Sequence, residues 1–210
     1  MYTITQKFQH SFREKGSKFI GYLLPVSSKE HFKNQLKTIQ SKYTDASHHC
    51  FAWRINPNNI TEFSQDDGEP GGTAGPPILN KLKSYKVINC GCIVVRYYGG
   101  TNLGISGLIE AYGKSAELCL EKALLKRVIP TQNYEITYPY NQQKEIDRLK
   151  NKLDLKEIDA QYTEKVSLIM ACRAEQAHAF EKALQKLEHK GLSITNRGSG
   201  FITLSTKQGE

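Results

Sequence analysis

Three acidic residues lie close together in a loop that otherwise consists of glycine, proline and small side chains. Asp66, Asp67 and Glu69 fall within the segment SQDDGEPGGTAGPP, residues 64–77. Carboxylates at this spacing could hold Mg²⁺ through oxygen ligands and water, or could serve general acid–base chemistry. The same residues could instead stabilise the loop, because Asp side chains accept hydrogen bonds from nearby backbone amides in turns.

We favour the structural interpretation of this loop. One Asp is expected to cap local amides, while Glu69 or the other Asp orients a basic residue such as Arg96. The glycines let the backbone approach a ligand closely, and Pro70 limits the freedom of the unfolded loop.

A second glycine-rich segment, RYYGGTNLGISGL at residues 96–108, runs from a predicted strand through a loop into a predicted helix. Gly99 and Gly104 have the spacing of a P-loop, but a P-loop continues with Lys and then Ser or Thr. Here Ile105 and Ser106 follow, which argues against an NTPase. The helix start could still receive an anion, or the glycines could only form a tight turn.

The sequence HHC at residues 48–50 offers nitrogen and sulfur atoms that could bind a metal. Adjacent residues of a strand point to opposite faces, so His48 and His49 do not easily bind one ion, and no second ligand pair at zinc spacing exists. No Ser or Cys has the context of an acyl-transfer nucleophile. The sequence therefore predicts no cofactor and no catalytic residue, and it favours a non-enzymatic protein.

Basic and aromatic residues alternate along several predicted strands. His48 and Arg54 share a face of one strand, Arg96 and Tyr98 share a face of another, and Lys18 lies on a third. Such side chains on a sheet can pair with phosphates while stacking on bases. The arginines could alternatively form ion pairs with the loop acids.

The net charge of +8 is concentrated in the first part of the chain. Residues 1–130 hold 17 Lys and Arg against 10 Asp and Glu, a net charge of +7, whereas residues 131–210 hold 12 against 11. This excess indicates a polyanionic partner, although it is also compatible with an ordinary solvated surface. With no long apolar run, no signal-peptide core at the N-terminus and five cysteines without a C-x-x-C pair, we expect a cytoplasmic protein without membrane contact.

The hydrophobic pattern predicts two α/β domains, residues 1–129 and 130–210. In the first, we expect a hairpin over residues 2–25, a Ser-capped helix from Ser28, strands at 48–56 and 90–98, and helices at 76–85 and 104–127. The second shows the succession strand, helix, strand, strand, helix, strand, which is the ferredoxin-like arrangement.

Four segments at their present order and spacing resemble the YigZ/IMPACT family: SKFIGYLLPVSSKE, DASHHCFAWRI, DDGEPGGTAGPPIL and VVRYYGGTNLGISGLIEAYGKSA. The resemblance implies an α+β protein. Its first domain would be a two-layer domain with the ribosomal-protein domain-2-like fold, and its second a smaller ferredoxin-like domain similar to domain V of elongation factor G. Eukaryotic IMPACT members are translation regulators.

Taken together, these observations predict a nucleic-acid- or ribosome-associated protein that influences translation, with RNA or the ribosome as partner. A binding module for a protein partner in translation control and a metal-dependent hydrolase using Asp66, Asp67 and Glu69 are the alternatives. The proposed ligand site combines the acidic loop, the glycine turn and the basic sheet residues, namely Lys18, His48, Arg54, Asp66, Asp67, Glu69, Gly71, Gly72, Thr73, Arg96, Tyr98, Gly99, Gly100 and Gly104.

Overall fold

The computed structural model describes residues 1–205. They divide into two compact units, Met1–Arg127 and Val128–Leu204, each with its own sheet, so the protein is a mixed α+β protein. Residues 206–210 of the predicted second domain lie outside the described range. No helix among the described residues is long and apolar enough to cross a membrane.

A five-stranded antiparallel sheet forms the centre of the first unit. Its order is β2-β3-β6-β4-β5, and a short strand β1 pairs separately with the first two residues of β7. The elements are β1 (Tyr2–Thr3), β2 (Phe8–Glu14), β3 (Ser17–Pro25), α1 (Lys29–Lys42), β4 (His48–Ile55), β5 (Thr61–Gln65), α2 (Gly75–Ser84), β6 (Cys90–Tyr97) and α3 (Gly104–Glu121). The predicted hairpin, strands and helices are present. The edge strand β5 was not predicted.

Helices cover both faces of this sheet, so the predicted two-layer arrangement is wrong. Side chains of α2 and α3, such as Ile78 and Leu108, pack with Cys92 of β6 on one face. On the other face Phe32 of α1 packs with Ile93 of β6. Alternation along β6 sends successive apolar residues to opposite faces, and both faces need a helix to exclude water.

A local signal sets the start of α1. The Ser28 hydroxyl accepts the backbone N–H of His31, which caps α1 as expected. The helix α3 ends at Glu121 rather than at residue 127, because Lys126 and Arg127 belong to β7 and pair with β1.

The second unit confirms the predicted succession of strands and helices. It consists of β7 (Lys126–Tyr138), α4 (Gln143–Lys152), β8 (Lys156–Tyr162), β9 (Val166–Arg173), α5 (Ala177–Gln185) and β10 (Ser193–Ser205), with strand order β10-β7-β9-β8. Ile146 of α4 and Phe180 of α5 pack with Ile136 of β7 in its core. Whether each unit folds alone stays a prediction.

Candidate functional site

Asp66 is a capping residue for the acidic loop and for α2. Its Oδ2 accepts the backbone N–H of Gly72 at 2.9 Å, and its Oδ1 accepts those of Ala74 at 2.9 Å and Gly75 at 2.8 Å. Burial by itself raises the pKa of this carboxyl, but the three N–H donors outweigh it and bring the pKa below its usual range. The predicted capping role of one Asp is confirmed.

Asp67 fastens the loop to β4. Its Oδ2 accepts the backbone N–H of His49 at 2.6 Å, and its carbonyl oxygen lies 2.8 Å from Nδ1 of His48. The Cys50 thiol donates to the carbonyl of Asp66 at 2.9 Å. Asp67 has a φ of +46°, a left-handed conformation that Asp tolerates better than most residues. The loop is therefore bonded to three successive residues of β4.

Glu69 and Arg96 form a buried ion pair, with side chains 4% and 5% exposed. Arg96 Nη1 donates to Glu69 Oε1 at 2.5 Å, and the Tyr112 hydroxyl donates to the same oxygen at 2.7 Å. Arg96 Nη2 donates to Ser17 Oγ at 3.3 Å, and His48 Nε2 lies 3.8 Å from Glu69 Oε1. The predicted orientation of Arg96 by a loop acid is confirmed.

The protonation of this network suits hydrogen bonding rather than nucleophilic chemistry. Burial raises the pKa of the Cys50 thiol and of the Tyr112 phenol far above their usual ranges. Both groups are therefore neutral near neutral pH, and Cys50 is not the thiolate that a nucleophile requires. Within residues 1–205, no three His, Cys, Asp or Glu side chains are grouped so that they could hold a metal ion.

Gly71, Gly72 and Thr73, at the tip of the acidic loop, determine the shape of the loop. Gly71 and Gly72 are exposed, and Gly72 has a φ of +82°. Thr73 is buried, and its hydroxyl donates to the carbonyl of Pro70 at 2.6 Å. These predicted site residues thus shape the turn that Asp66 caps.

Gly99 brings the turn after β6 against the turn between β2 and β3. A Cβ at Gly99 would lie 1.9 Å from the carbonyl carbon of Gly16, and the Gly99 N–H donates to Ser17 Oγ at 3.1 Å. Gly100 and Gly104 have φ values of +82° and +75°, which strain any residue but glycine. The backbone requires these glycines with or without a ligand.

Tyr98 lies at the surface, where the residue is 49% exposed, and its hydroxyl and backbone N–H are both hydrogen-bonded. Its hydroxyl donates to Asn102 Oδ1 at 3.1 Å, and its backbone N–H donates to Ser47 Oγ at 3.1 Å. The guanidinium carbon of Arg96 lies 5.5 Å from the ring centroid, a cation–π contact with one face of the ring.

Arg54 lies away from these residues. It is six residues from His48 along β4, which corresponds to about 20 Å. Its guanidinium donates to the carbonyl of Val87 at 2.9 Å and to Glu62 Oε2 at 3.0 Å. The structure brings His48, the loop acids and Arg96 together but leaves Arg54 at the other end of the strand, where it pairs with Glu62 of β5 and not with a loop acid. Of the two arginines, Arg96 forms the ion pair with a loop acid.

A groove lies at the end of the sheet where β6 finishes, and we call it the basic–aromatic groove. Its volume is about 320 Å³, and its lining includes Arg13, Lys18, Tyr43, Asp45, Tyr97 and Tyr98. Sequence reasoning identified Lys18 and Tyr98 and missed the other four. The predicted hairpin contained a signal for Arg13, because Arg13 and Lys18 are opposite each other in its register. Asp45 and Tyr97 gave no local signal.

These features define a class: a two-unit α+β protein whose first unit joins an acidic loop, a buried arginine and a glycine turn. The Impact N-terminal domain family matches residues 15–120, and a domain of unknown function, DUF1949, matches residues 136–187. The chain belongs to the IMPACT family.

Two curated relatives match most of the chain. The chain is 34% identical over 182 residues to IMPACT family member YigZ of Escherichia coli, covering 86% of this chain and 89% of that one. It is 30% identical over 188 residues to YvyE of Bacillus subtilis, covering 89% and 86%. A crystal structure of a hypothetical protein, 31% identical, superposes with a TM-score of 0.65 over 92% of this chain and 95% of that one.

Proposed function

We propose that this protein is a non-enzymatic, cytoplasmic protein that associates with RNA or the ribosome and influences translation. The observation that carries the proposal is the basic–aromatic groove, which combines exposed cations with a fixed, half-exposed tyrosine. Cations that follow a nucleic-acid backbone, together with aromatic rings on which bases stack, are the usual components of single-strand binding surfaces.

The distribution of unpaired charge supports the first unit as the binding unit. Within the described residues, Arg13, Lys15 and Lys18 have no acidic side chain at ion-pair distance. In the second unit five cations are paired with carboxylates, namely Arg148, Lys150, Lys156, Arg173 and Arg197. The positive charge that remains available to a polyanion therefore lies mainly in the first unit.

The family relationship supports the translational part of the proposal, because the resemblance to IMPACT implies translation regulators among the eukaryotic members of the family. The expected folds add a second argument. We assign the second unit to the ferredoxin-like fold of elongation factor G domain V, and the first to the ribosomal-protein domain-2-like fold with one additional helix, α1, on the other sheet face. The strand order β10-β7-β9-β8 and its two intervening helices support the assignment of the second unit.

The direct test is the salt dependence of RNA binding by the full chain. If three to five phosphates are contacted, log affinity should fall against log salt with a slope of about 2 to 4. Sedimentation of the protein with ribosomes at low and high salt tests whether it associates with the ribosome. Absence of RNA binding at low salt, together with no cosedimentation, would overturn the proposal.

A binding module for a protein partner is the second candidate, favoured by apolar residues on the outer face of α3. Ile105 is 66% and Ile109 43% exposed, and they are one helical turn apart. A partner docked on this apolar face would bind with little salt dependence, and the Ile109→Asp substitution should abolish its binding.

A metal-dependent hydrolase receives less support from the loop geometry. Asp66 accepts hydrogen bonds from three backbone amides, and Glu69 accepts hydrogen bonds from Arg96 and Tyr112. Both carboxylates are therefore already engaged in contacts that stabilise the loop. Turnover of a nucleotide or peptide that depends on added Mg²⁺ or Mn²⁺ would favour this alternative over ours.

A further inference from the structure

We propose that the basic–aromatic groove binds one unpaired nucleotide of single-stranded RNA, with its base stacked on Tyr98 and preferably a base other than uracil. This inference rests on the proposed association with RNA and adds the form of the ligand and the base it prefers.

The stacking surface is prepared in the free protein. Contacts of the Tyr98 hydroxyl with Asn102 and of its ring with Arg96 restrict the side chain, and the Ser47 hydroxyl holds its backbone N–H, so little freedom is lost when a base stacks on the ring. Arg96 is itself held by Glu69 and therefore keeps its place under the ring. Since one ring face contacts Arg96, the opposite face is the one that a base would cover.

The phosphate of the same nucleotide has its own partners. Arg13 and Lys18 are directly opposite each other in the antiparallel pair of β2 and β3, and both line the groove. Two neighbouring cations without acidic partners in the described part of the chain repel each other, and an anion placed between them relieves that repulsion.

The size and position of the groove favour an unpaired nucleotide over a duplex. A volume of about 320 Å³ lies at the lower limit of small-ligand sites and suits a single nucleotide. Bases inside an A-form helix are stacked on each other and do not offer a free face to a protein side chain.

Asp45 gives the groove its preference among bases. Its Oδ1 accepts the Tyr97 hydroxyl at 2.8 Å, and its other oxygen has no hydrogen-bond partner among the residues described. A carboxylate accepts from the exocyclic amino groups of cytosine, adenine and guanine. Uracil has no amino group, and its single N–H lies between two carbonyl oxygens that a carboxylate repels.

The test is fluorescence anisotropy of the full chain with short labelled homopolymers of cytidine, adenosine and uridine, and with an RNA hairpin. We expect the cytidine and adenosine strands to bind more tightly than uridine and hairpin RNA. Tyr98→Ala should weaken binding of the cytidine strand about tenfold or more, and Tyr98→Phe should retain most of it. Asp45→Ala should bring the affinities for cytidine and uridine strands together.

The controls separate this inference from the general RNA proposal. Lys37→Ala removes an exposed cation of α1 away from the groove, and it should weaken binding much less than Lys18→Ala. If RNA binding is salt-dependent but Tyr98→Ala and Lys18→Ala leave the affinity for RNA unchanged, the groove inference is wrong and RNA association stands. Equal affinity for cytidine and uridine strands in the parent protein overturns the role of Asp45. If no RNA binds at low salt, the groove inference is wrong, and the proposed function is wrong as well when the protein also fails to cosediment with ribosomes.

Discussion

The Glu69 carboxylate and the Arg96 guanidinium meet at 2.5 Å in the interior of the first unit, although the two residues lie 27 positions apart. The pair joins the acidic loop to β6. The hydroxyl of Tyr112 in α3 donates a hydrogen bond to the same Glu69 oxygen and so joins α3 to the loop as well. A buried ion pair contributes little compared with apolar replacements, but removal of one partner leaves an uncompensated buried charge. This contact therefore fixes where the loop sits.

Removal of either partner should be strongly destabilising. We expect Glu69→Ala and Arg96→Ala each to lower the free energy of unfolding by about 3 to 5 kcal/mol, and the double variant to lose less than the sum. Urea denaturation of the three variants forms the double-mutant cycle. Single losses below about 1 kcal/mol would show that the pair is not buried as described.

Loss of the Asp66 cap should weaken the loop without any involvement of metal. An Asn keeps one acceptor oxygen where the carboxylate uses two, so Asp66→Asn should cost about 1 to 2 kcal/mol. Asp159→Asn, an exposed residue of β8, removes the same charge as a control and should change stability by less than about 0.5 kcal/mol. If Asp66→Asn melts like the parent and Mg²⁺ stabilises only the parent, the loop is a metal site.

The cap should also appear in the pH dependence of stability. Because the pKa of Asp66 is lower in the folded chain, its stabilising contribution is complete above the unfolded pKa, about 4, and is lost as the pH falls through the folded value. The stability difference between parent and Asp66→Asn should therefore be constant near neutral pH and shrink below about pH 4. Denaturation at a series of pH values measures it, and a constant difference throughout this range contradicts the assignment.

Sequence reasoning succeeded where the information is local. Alternation predicted that adjacent residues of β4 point to opposite faces, and Cys50 and Phe51 do pack in the two different apolar clusters. Turn chemistry predicted that an Asp would cap the loop, and Asp66 does so.

It failed where distant segments determine the result. Parity along β4 put Arg54 on the same face as His48. It does not show whether both can reach one ligand, and at six positions apart they do not. The groove joins Arg13, Asp45 and Tyr97 from segments far apart in the chain, and the register that aligns them is a tertiary property. The number of helix layers likewise depends on which sheet face α1 covers.

The first unit should fold without the second, because its two apolar clusters are built within residues 1–127. A fragment of residues 1–129 keeps the Lys126 and Arg127 partners of β1. We expect a cooperative thermal melt and no binding of a hydrophobic dye. A gradual melt with strong dye binding would mean that the second unit completes the core of the first.

The glycine turn after β6 should tolerate no side chain at Gly99. A Cβ there would lie 1.9 Å from Gly16 and 2.2 Å from the backbone nitrogen of Ser17, so one of the two turns must move. We expect Gly99→Ala to cost roughly 1 to 3 kcal/mol, as for other overpacked sites, and to weaken RNA binding because the neighbouring Tyr98 shifts with the turn. Gly71→Ala is the matched control, since a Cβ at that exposed position meets no atom within 4 Å. Circular dichroism melts and anisotropy with the cytidine strand measure both effects, and equal behaviour of the two variants would show that the close approach of the turns is not needed.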